Sequence, residues 1–336
     1  MKSDEIEQLM CGESFREGHD GASLIETHIS WVILTNQYAY KIKKPVQFSF
    51  LDFSTLEKRK YYCEREVFLN KRLADQMYLR TIPVFKRGNS FSLNSQGGEV
   101  VDYAVFMRRM DTAKEMDKLL LAHKVNKQMI KGLAVKISEF HRQATIIKKK
   151  TEINILKERF NDLGIVQAFA RDHLGDHYAG VIGQSVKQSG LFLDKYQYAI
   201  NERISKGCTR DLHGDLHTGN IFLYKDPVIF DCIEFNDELR QIDVLDEIAF
   251  LCMDLEAYDR KDLSGLLYQN YLMYSGIKED KEAGLLFHYY KCYRANVRAK
   301  ISLLYAVNTD DRIMFDRKIQ TAIRYLALLN GYLAKL

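Results

Sequence analysis

The stretch that decides the fold reads Leu212-His213-Gly214-Asp215-Leu216-His217-Thr218-Gly219-Asn220-Ile221-Phe222, followed five residues later by Val228-Ile229-Phe230-Asp231-Cys232-Ile233-Glu234. Asp215, Asn220 and Asp231 are hard oxygen donors. One tight loop separates Asp215 from Asn220, and the spacing from Asn220 to Asp231 predicts a short hairpin. A hairpin returns its second strand beside its first, which brings Asn220 and Asp231 together. Two such oxygens, completed by water and phosphate, suit Mg2+, a cation that keeps few protein ligands. Asp215 then sits one loop away, placed to accept a proton from a hydroxyl. Phosphoryl transfer needs that division of labour: the cation neutralises developing charge while a carboxylate orients the attacking oxygen. A rival reading takes His213, Asp215 and His217 as metal ligands of a metallohydrolase on alternate positions of a strand. A third takes the segment as a polar surface loop rich in turn formers.

Further out, residues 22–50 read as strands, with Ile29 to Leu34 and Tyr38 to Ile42 separated by the turn-like Thr35-Asn36-Gln37. A strand puts Ala39 and Lys41 on one face, with Tyr40 and Ile42 on the other. A small residue two before a lysine leaves room for an adenine ring while the lysine reaches phosphates. Lys43 shares that face and competes for the role. Taken alone, Lys41, Lys43 and Lys44 read as a solvated sheet edge. Ser54-Thr55-Leu56-Glu57 then reads as a capping box opening a helix from about Thr55 to Leu73. On that helix Tyr62, Glu66, Leu69 and Leu73 form one stripe. Glu66 is therefore a carboxylate on an apolar stripe and needs a cation partner. A lysine on the adjacent strand is the natural one; Arg59 and Arg65 are the other candidates. Two more strands follow, Arg80 to Lys86 and Val100 to Met107.

Beyond Met110, residues 114–145, 151–174, 178–206, 240–275 and 280–333 have helical periodicity, interrupted only at Thr209 to Glu234. With three prolines in 336 residues, long helices are expected. The fold class is therefore α+β, with a β-rich N-lobe over 1–108 and a larger helical C-lobe over 109–336. A helical insert over about 151–207 precedes the quoted segment. Apolar residues at 46% and charged residues at 28% exclude a mainly disordered chain. The net charge of +4 is too even for a nucleic-acid partner, and Lys148 to Lys150 read as a solvated helix end. No run of 18 apolar residues suggests a membrane span. Six widely spaced cysteines without a C-x-x-C pair, and an acidic first ten residues without an apolar signal region, point to a cytoplasmic protein.

His213-Gly214-Asp215 with Asn220, then Phe230-Asp231, resembles the catalytic and metal loops of the protein-kinase-like superfamily. The match is to its aminoglycoside phosphotransferase and choline kinase branch, where glycine replaces the central arginine of the kinase loop. Phe230 to Phe235 and Ala249-Phe250-Leu251-Cys252-Met253-Asp254-Leu255 are similar to a bacterial family of aminoglycoside-phosphotransferase-like proteins. The resemblance runs from about Thr27 to Lys300. It implies a two-lobed protein-kinase-like fold with ATP and Mg2+ in an interlobe cleft. Asn220 and Asp231 would hold the metal, and Asp215 would act on the acceptor hydroxyl. Lys41 would clamp the α- and β-phosphates, with Glu66 fixing Lys41. Met107 would stand at the back of the nucleotide pocket, with the backbone of Arg108 to Met110 bonding adenine. His217 falls where protein kinases carry a lysine, which implies contact with the transferred phosphate; as an ordinary loop histidine it would be satisfied by backbone.

The pattern departs from the family where a glycine-rich phosphate loop is expected. Glu26 to Leu34 contains no glycine, and Ser30 is the candidate hydroxyl to cap a phosphate there. No G-x-x-x-x-G-K-[ST] occurs, which excludes a P-loop ATPase. The resemblance also implies an acid just before Ala249-Phe250 that accepts backbone amides of the catalytic loop; Glu247 and Asp246 both qualify. Arg294 and Arg298, one helical turn apart, would bind an acidic group or buttress Asp243 or Asp254. The expected acceptor is a small hydroxylated molecule. A protein acceptor, or a nucleotide-binding regulator without transfer activity, are the alternatives.

Overall fold

Alternation along Tyr38-Ala39-Tyr40-Lys41-Ile42-Lys43 sorts this strand between two apolar layers. Tyr40 and Ile42 enter one buried cluster with Trp31, Ile33 and Phe106, while Ala39 enters another with Cys63, Val105 and Met107. The lysines share the Ala39 face by the period-2 geometry of a strand. In this computed structural model the described residues are 1–11, 15, 22–48, 51–93, 97–150, 152–278 and 280–336. Residues 49–50 of the expected strand region and residue 151 of the expected insert lie outside them.

A six-stranded antiparallel sheet runs in the order β1-β2-β3-β8-β6-β7. Its members are β1 (Ser23–Glu26), β2 (Ser30–Leu34), β3 (Tyr38–Lys43), β6 (Tyr78–Arg87), β7 (Ser90–Ser92) and β8 (Glu99–Arg108). A two-residue pair, β4 (Gln47–Phe48) with β5 (Leu51–Asp52), follows β3. Helix α1 (Ser3–Cys11) buries Ile6 and Leu9 in the Tyr40 layer. Helix α2 (Leu56–Ala74) buries Glu66, Leu69 and Leu73 of the expected stripe, with Cys63 buried and Tyr62 half-buried. Its cap differs from expectation. The Thr55 side chain accepts from the Lys58 amide at 3.3 Å, one residue later than the anticipated Ser54 cap. Ser54 is occupied elsewhere: its amide and hydroxyl both donate to Asp52, at 3.0 and 2.6 Å.

The remaining helices are α3 (Met116–Leu121), α4 (Lys127–Gln143), α5 (Ile153–Asn161), α6 (Gln167–Leu174), α7 (Asp176–Ser205), α8 (Val244–Ala257), α9 (Lys261–Ser275), α10 (Lys281–Val307) and α11 (Arg312–Leu333). Helix α8 is buried nearly throughout, and α4, α9, α10 and α11 pack around it or around each other. Short strands interrupt them: β9 (Thr209–Asp211) pairs with β12 (Gln241–Asp243), and β10 (Ile221–Phe222) with β11 (Val228–Ile229). The fold is α+β, a curled antiparallel sheet and a helical part, as the sequence predicts. The chain forms two compact units, residues 1–119 with 219–239, and 120–218 with 240–336. The β10–β11 hairpin thus belongs with the sheet, whereas the expected division at 108 grouped it with the helices. Phe222, Val228 and Phe230 account for this, since they pack against Ala39, Tyr78 and Met107. None of the described helices is long and apolar enough to cross a membrane.

Candidate active site

The sheet unit assembles an alternating row of charges. Lys41 Nζ lies 2.9 Å from Glu66 Oε1 and 2.7 Å from Asp231 Oδ1. Lys43 Nζ lies 2.7 Å from Glu66 Oε2 and is also paired with Glu234. The row is Asp231, Lys41, Glu66, Lys43, Glu234, and Glu66 is its centre. Arg59 and Arg65 are not partners of Glu66: Arg59 pairs with Asp102 at 2.8 Å and Arg65 with Asp237. Lys43 is fully buried, so it does not offer its ammonium to a solvent-borne phosphate, whereas Lys41 and Asp231 stay partly accessible. Burial works against every charge here, and the partners decide the outcome. Burial pulls Lys41 down, yet Asp231 and then Glu66 hold it well above its ordinary value. Burial pushes Glu66 up, but Lys41 and Lys43 bring it down to about 2. Glu234 stays above its ordinary value, because its burial and the neighbouring Glu66 charge outweigh Lys43.

The hairpin backbone brings Asn220 opposite Phe230, the residue before Asp231. Ile221 faces Ile229, and the Phe230 amide donates to the Asn220 carbonyl at 3.0 Å. Asp231, next along, has φ 63°, a left-handed backbone that costs a non-glycine residue free energy. Neighbours hold it there. Its amide donates to the Tyr78 hydroxyl at 3.3 Å, and the Cys232 amide donates to Asn70 Oδ1 at 2.9 Å. Asn70 in turn donates to the Glu66 carbonyl at 2.9 Å, so α2 grips the segment directly. A carboxylate and a carboxamide, Asp231 and Asn220 are residue types whose oxygens suit a hard divalent cation.

Ser30, the candidate phosphate cap, is buried at the start of β2. It stands opposite Lys43, and its hydroxyl is buried without a hydrogen-bond partner among the described residues. The turn before it is closed by Thr27, whose amide and hydroxyl both donate to the Ser30 carbonyl, at 2.9 and 3.0 Å. At the end of β8, Met107 is buried opposite Ala39. The Arg108 and Arg109 amides donate to the carbonyls of Met77 and Gln37, at 2.8 and 2.7 Å. Met110 packs partly buried against the Ala39 layer.

The helical unit holds the other half of the quoted segment. Residues 212–217 are irregular rather than a strand, which removes the alternate-position geometry of the metallohydrolase reading. Among the described residues no three His, Cys, Asp or Glu side chains are grouped to hold a metal. Glu247, not Asp246, receives the loop: its Oε1 accepts from the amides of His213 and Gly214, both at 2.8 Å. Its Oε2 lies 2.8 Å from His141 Nε2, and His141 Nδ1 lies 2.8 Å from the Tyr271 hydroxyl. Burial raises the Glu247 carboxyl, but His141 and then the loop bring it below its ordinary value. Gly214 has φ 85°, and its carbonyl accepts from Arg294 at 3.2 Å. Arg294 buttresses Asp246 in a bidentate pair at 2.7 and 2.9 Å. Asp243 is instead paired with Arg203 and caps α8 through the Leu245 amide. Asp254 accepts from the Thr218 amide and hydroxyl, at 2.9 and 2.6 Å, and from Tyr325, which also accepts from Arg298.

His217 Nε2 lies 3.4 Å from Asp215 Oδ2, and the ring stands 5.7 Å from that of Phe250. Burial favours a protonated Asp215, yet His217 and Arg298 hold its carboxyl well below the usual carboxylate range. Glu234, Asn70, Tyr78 and His141 are not singled out as site residues by the sequence, and Lys43 enters only as a rival to Lys41. Asn70 follows Glu66 at i+4, on one helix face, which is the signal that points to it.

The fold is that of the protein-kinase-like phosphotransferases of the aminoglycoside phosphotransferase and choline/ethanolamine kinase kind. A choline kinase from Cryptosporidium parvum superposes with a TM-score of 0.50 at 12% identity, covering 99% of this chain and 100% of that one. APH(2")-IIia, solved as its GDP and kanamycin complex, gives 0.51 at 11% identity, covering 97% and 99%. Plasmodium vivax ethanolamine kinase gives 0.50 at 11% identity, covering 91% and 82%. No protein-family profile matches the chain. In sequence it is similar to uncharacterized proteins of Mycobacterium tuberculosis and Mycobacterium bovis, 34% identical over 281 residues. That match covers 82% of this chain and 53% of theirs, so the chain spans about half the length of these relatives.

Proposed function

We propose that the chain is a phosphotransferase that uses ATP and Mg2+ to move a γ-phosphoryl group onto a hydroxyl of a small molecule. The observation that carries the reading is Lys41 held between Glu66 and Asp231, at 2.9 and 2.7 Å. That pairing supports the reading of a cation for phosphate oxygens beside a carboxylate for the metal. Lys41 takes the α- and β-phosphates, and Glu66 keeps it aimed. Asn220 and Asp231 are the residues that would hold Mg2+, which when bound neutralises charge on the transferring group. Met107 backs the base, and the Arg108 to Met110 backbone edge meets adenine. The Met110 amide is the donor in that edge not committed to another described residue. Asp215, five residues before Asn220 along the chain, orients the acceptor hydroxyl, with His217 beside it to meet the transferred phosphate. Catalysis on this reading is positioning and charge neutralisation. Six free cysteines support a reducing, cytoplasmic setting.

The test is thermal stability with Mg-ADP and with ADP alone. We expect the melting temperature to rise with Mg-ADP in the wild type and in Asp215→Asn, and much less in Lys41→Met and Asp231→Asn. Equal stabilisation of all four proteins overturns the reading. One observation favours a second reading, a nucleotide-binding regulator without transfer: the buried Ser30 hydroxyl leaves the β1–β2 turn without the expected phosphate cap. Formation of labelled product from γ-labelled ATP and a pool of small alcohols, abolished in Asp215→Asn, decides against it.

A further inference from the structure

We propose that the buried pair Lys43–Glu234 is a positioning device that sets where Asp231 stands. Glu234 lies three residues past Asp231 on the segment that leaves β11, and Lys43 lies two past Lys41 on β3. Both side chains are sealed from solvent, at 0% and 5% exposure, so their ammonium and carboxylate face each other and Glu66, with the Phe53 ring 4.8 Å from Lys43 Nζ. The phosphotransferase reading already uses Lys41, Glu66 and Asp231; it has no task for Lys43 or Glu234.

The charges supply one. Glu66 takes one lysine on each of its oxygens. When Lys41 shares its ammonium with a phosphate, less of its charge compensates the buried Glu66, which is costly unless another cation stays. Lys43 is that cation, and its second partner, Glu234, ties the chain three residues beyond Asp231 to the strand. The segment 231–234 is then pinned at both ends: by Tyr78 and Asn70 on the amides of Asp231 and Cys232, and by Lys43 on Glu234. That arrangement keeps Asp231 at its left-handed φ of 63° whether or not Lys41 holds its carboxylate. Lys43 and Glu234 touch neither nucleotide nor metal on this view; they act through Glu66 and Asp231.

The inference rests on the phosphotransferase reading for what Asp231 binds, and on the geometry alone for how Asp231 is held. Amide hydrogen exchange on the ligand-free full chain separates the two. In Glu234→Gln the amides of Asp231 and Cys232 are expected to exchange about tenfold faster, while those of β3 and β8 keep their rates. In the same variant, the Mg2+ concentration for half-saturation with ADP is expected to rise about tenfold, with metal-free ADP affinity unmoved. Glu234→Asp should restore part of both. Unchanged exchange at Asp231 and Cys232 overturns the proposal, as does faster exchange spread evenly over the sheet. If Glu234→Gln does not fold, the double variant Lys43→Met/Glu234→Met removes the pair without an unpaired buried charge. Retained protection at Asp231 and Cys232 in that protein also overturns it. If the wild type binds no Mg-ADP, the phosphotransferase reading fails, and the exchange rates still decide this one.

Discussion

Asp215 and Glu66 are both carboxylates whose surroundings keep them ionised, and they do different work. Asp215 is pulled low by His217 and Arg298 in spite of burial, and on the proposed function it orients the acceptor hydroxyl. Replacing it with asparagine keeps the shape and removes the charge. We expect kcat to fall by about 10²- to 10⁴-fold with nucleotide affinity unchanged, as steady-state kinetics and ADP titration will show. Glu66 is buried and brought from 4.5 to about 2 by Lys41 and Lys43, against the cost of burial. A carboxyl lowered on folding stabilises the protein above its unfolded value, and that contribution is lost as pH falls toward the folded value. Glu66→Gln should therefore lose about 3 kcal/mol above pH 4.5, measured by urea unfolding. The deficit should shrink between pH 4.5 and 2, where the wild type is itself protonated. A deficit constant across that range contradicts the assignment. Lys41, Glu66 and Asp231 were legible as candidates because charge on an apolar stripe, or beside a turn, has few uses. Glu234 was not, and the choice between Lys41 and its rival Lys43 stays open until their burial is known.

Among the elements, α8 does most to hold the loop of Asp215. Its Glu247 takes two loop amides on one oxygen and His141 of α4 on the other, with Tyr271 of α9 behind. Three helices thus fix one turn of irregular chain. Glu247→Ala leaves two amides and a histidine unsatisfied in the interior. A loss of about 3–5 kcal/mol in urea unfolding is expected, the size seen when one partner of a buried charged network is removed. Gly214→Ala meets a different obstacle, the left-handed φ of 85° at that position. Its cost should be about 1–2 kcal/mol in the same measurement, with a further drop in kcat because the displaced residue is next to Asp215. The choice between Asp246 and Glu247 was open in the sequence, because adjacent positions on a buried helix differ only in rotation about its axis. Packing against Arg294 turns Asp246 one way and leaves Glu247 facing the loop.

For the molecule as a whole, the grouping of 219–239 with residues 1–119 is the arrangement that matters most. Along the chain, the hairpin lies between segments of the helical unit. In space its apolar residues complete the layer under β3 and β8. Hydrogen exchange in low urea should show the amides of Ile221, Phe222 and Ile229 opening with β3 and β8. Opening together with α8 and α10 instead would mean the hairpin belongs energetically to the helices. Sequence reading placed the boundary at 108 because composition changes there from β-branched to helical. Composition follows local structure, while the grouping follows burial between residues more than a hundred positions apart.

The amino-acid order alone was enough for the α+β class, the long helices, the strand carrying Lys41 and the loop-and-hairpin that bears Asp215, Asn220 and Asp231. Those features are local: periodicity, turn formers and the spacing of oxygen donors are properties of a few consecutive residues. What waited for the folded chain was which lysine is sealed and which is accessible, which acid receives the loop, and which unit the hairpin joins. Each of those depends on desolvation. A charge is cheap in water and costly beside Phe222 or Met107, and only the packing of distant segments determines which charges lose their water and which partners remain within 3 Å to compensate.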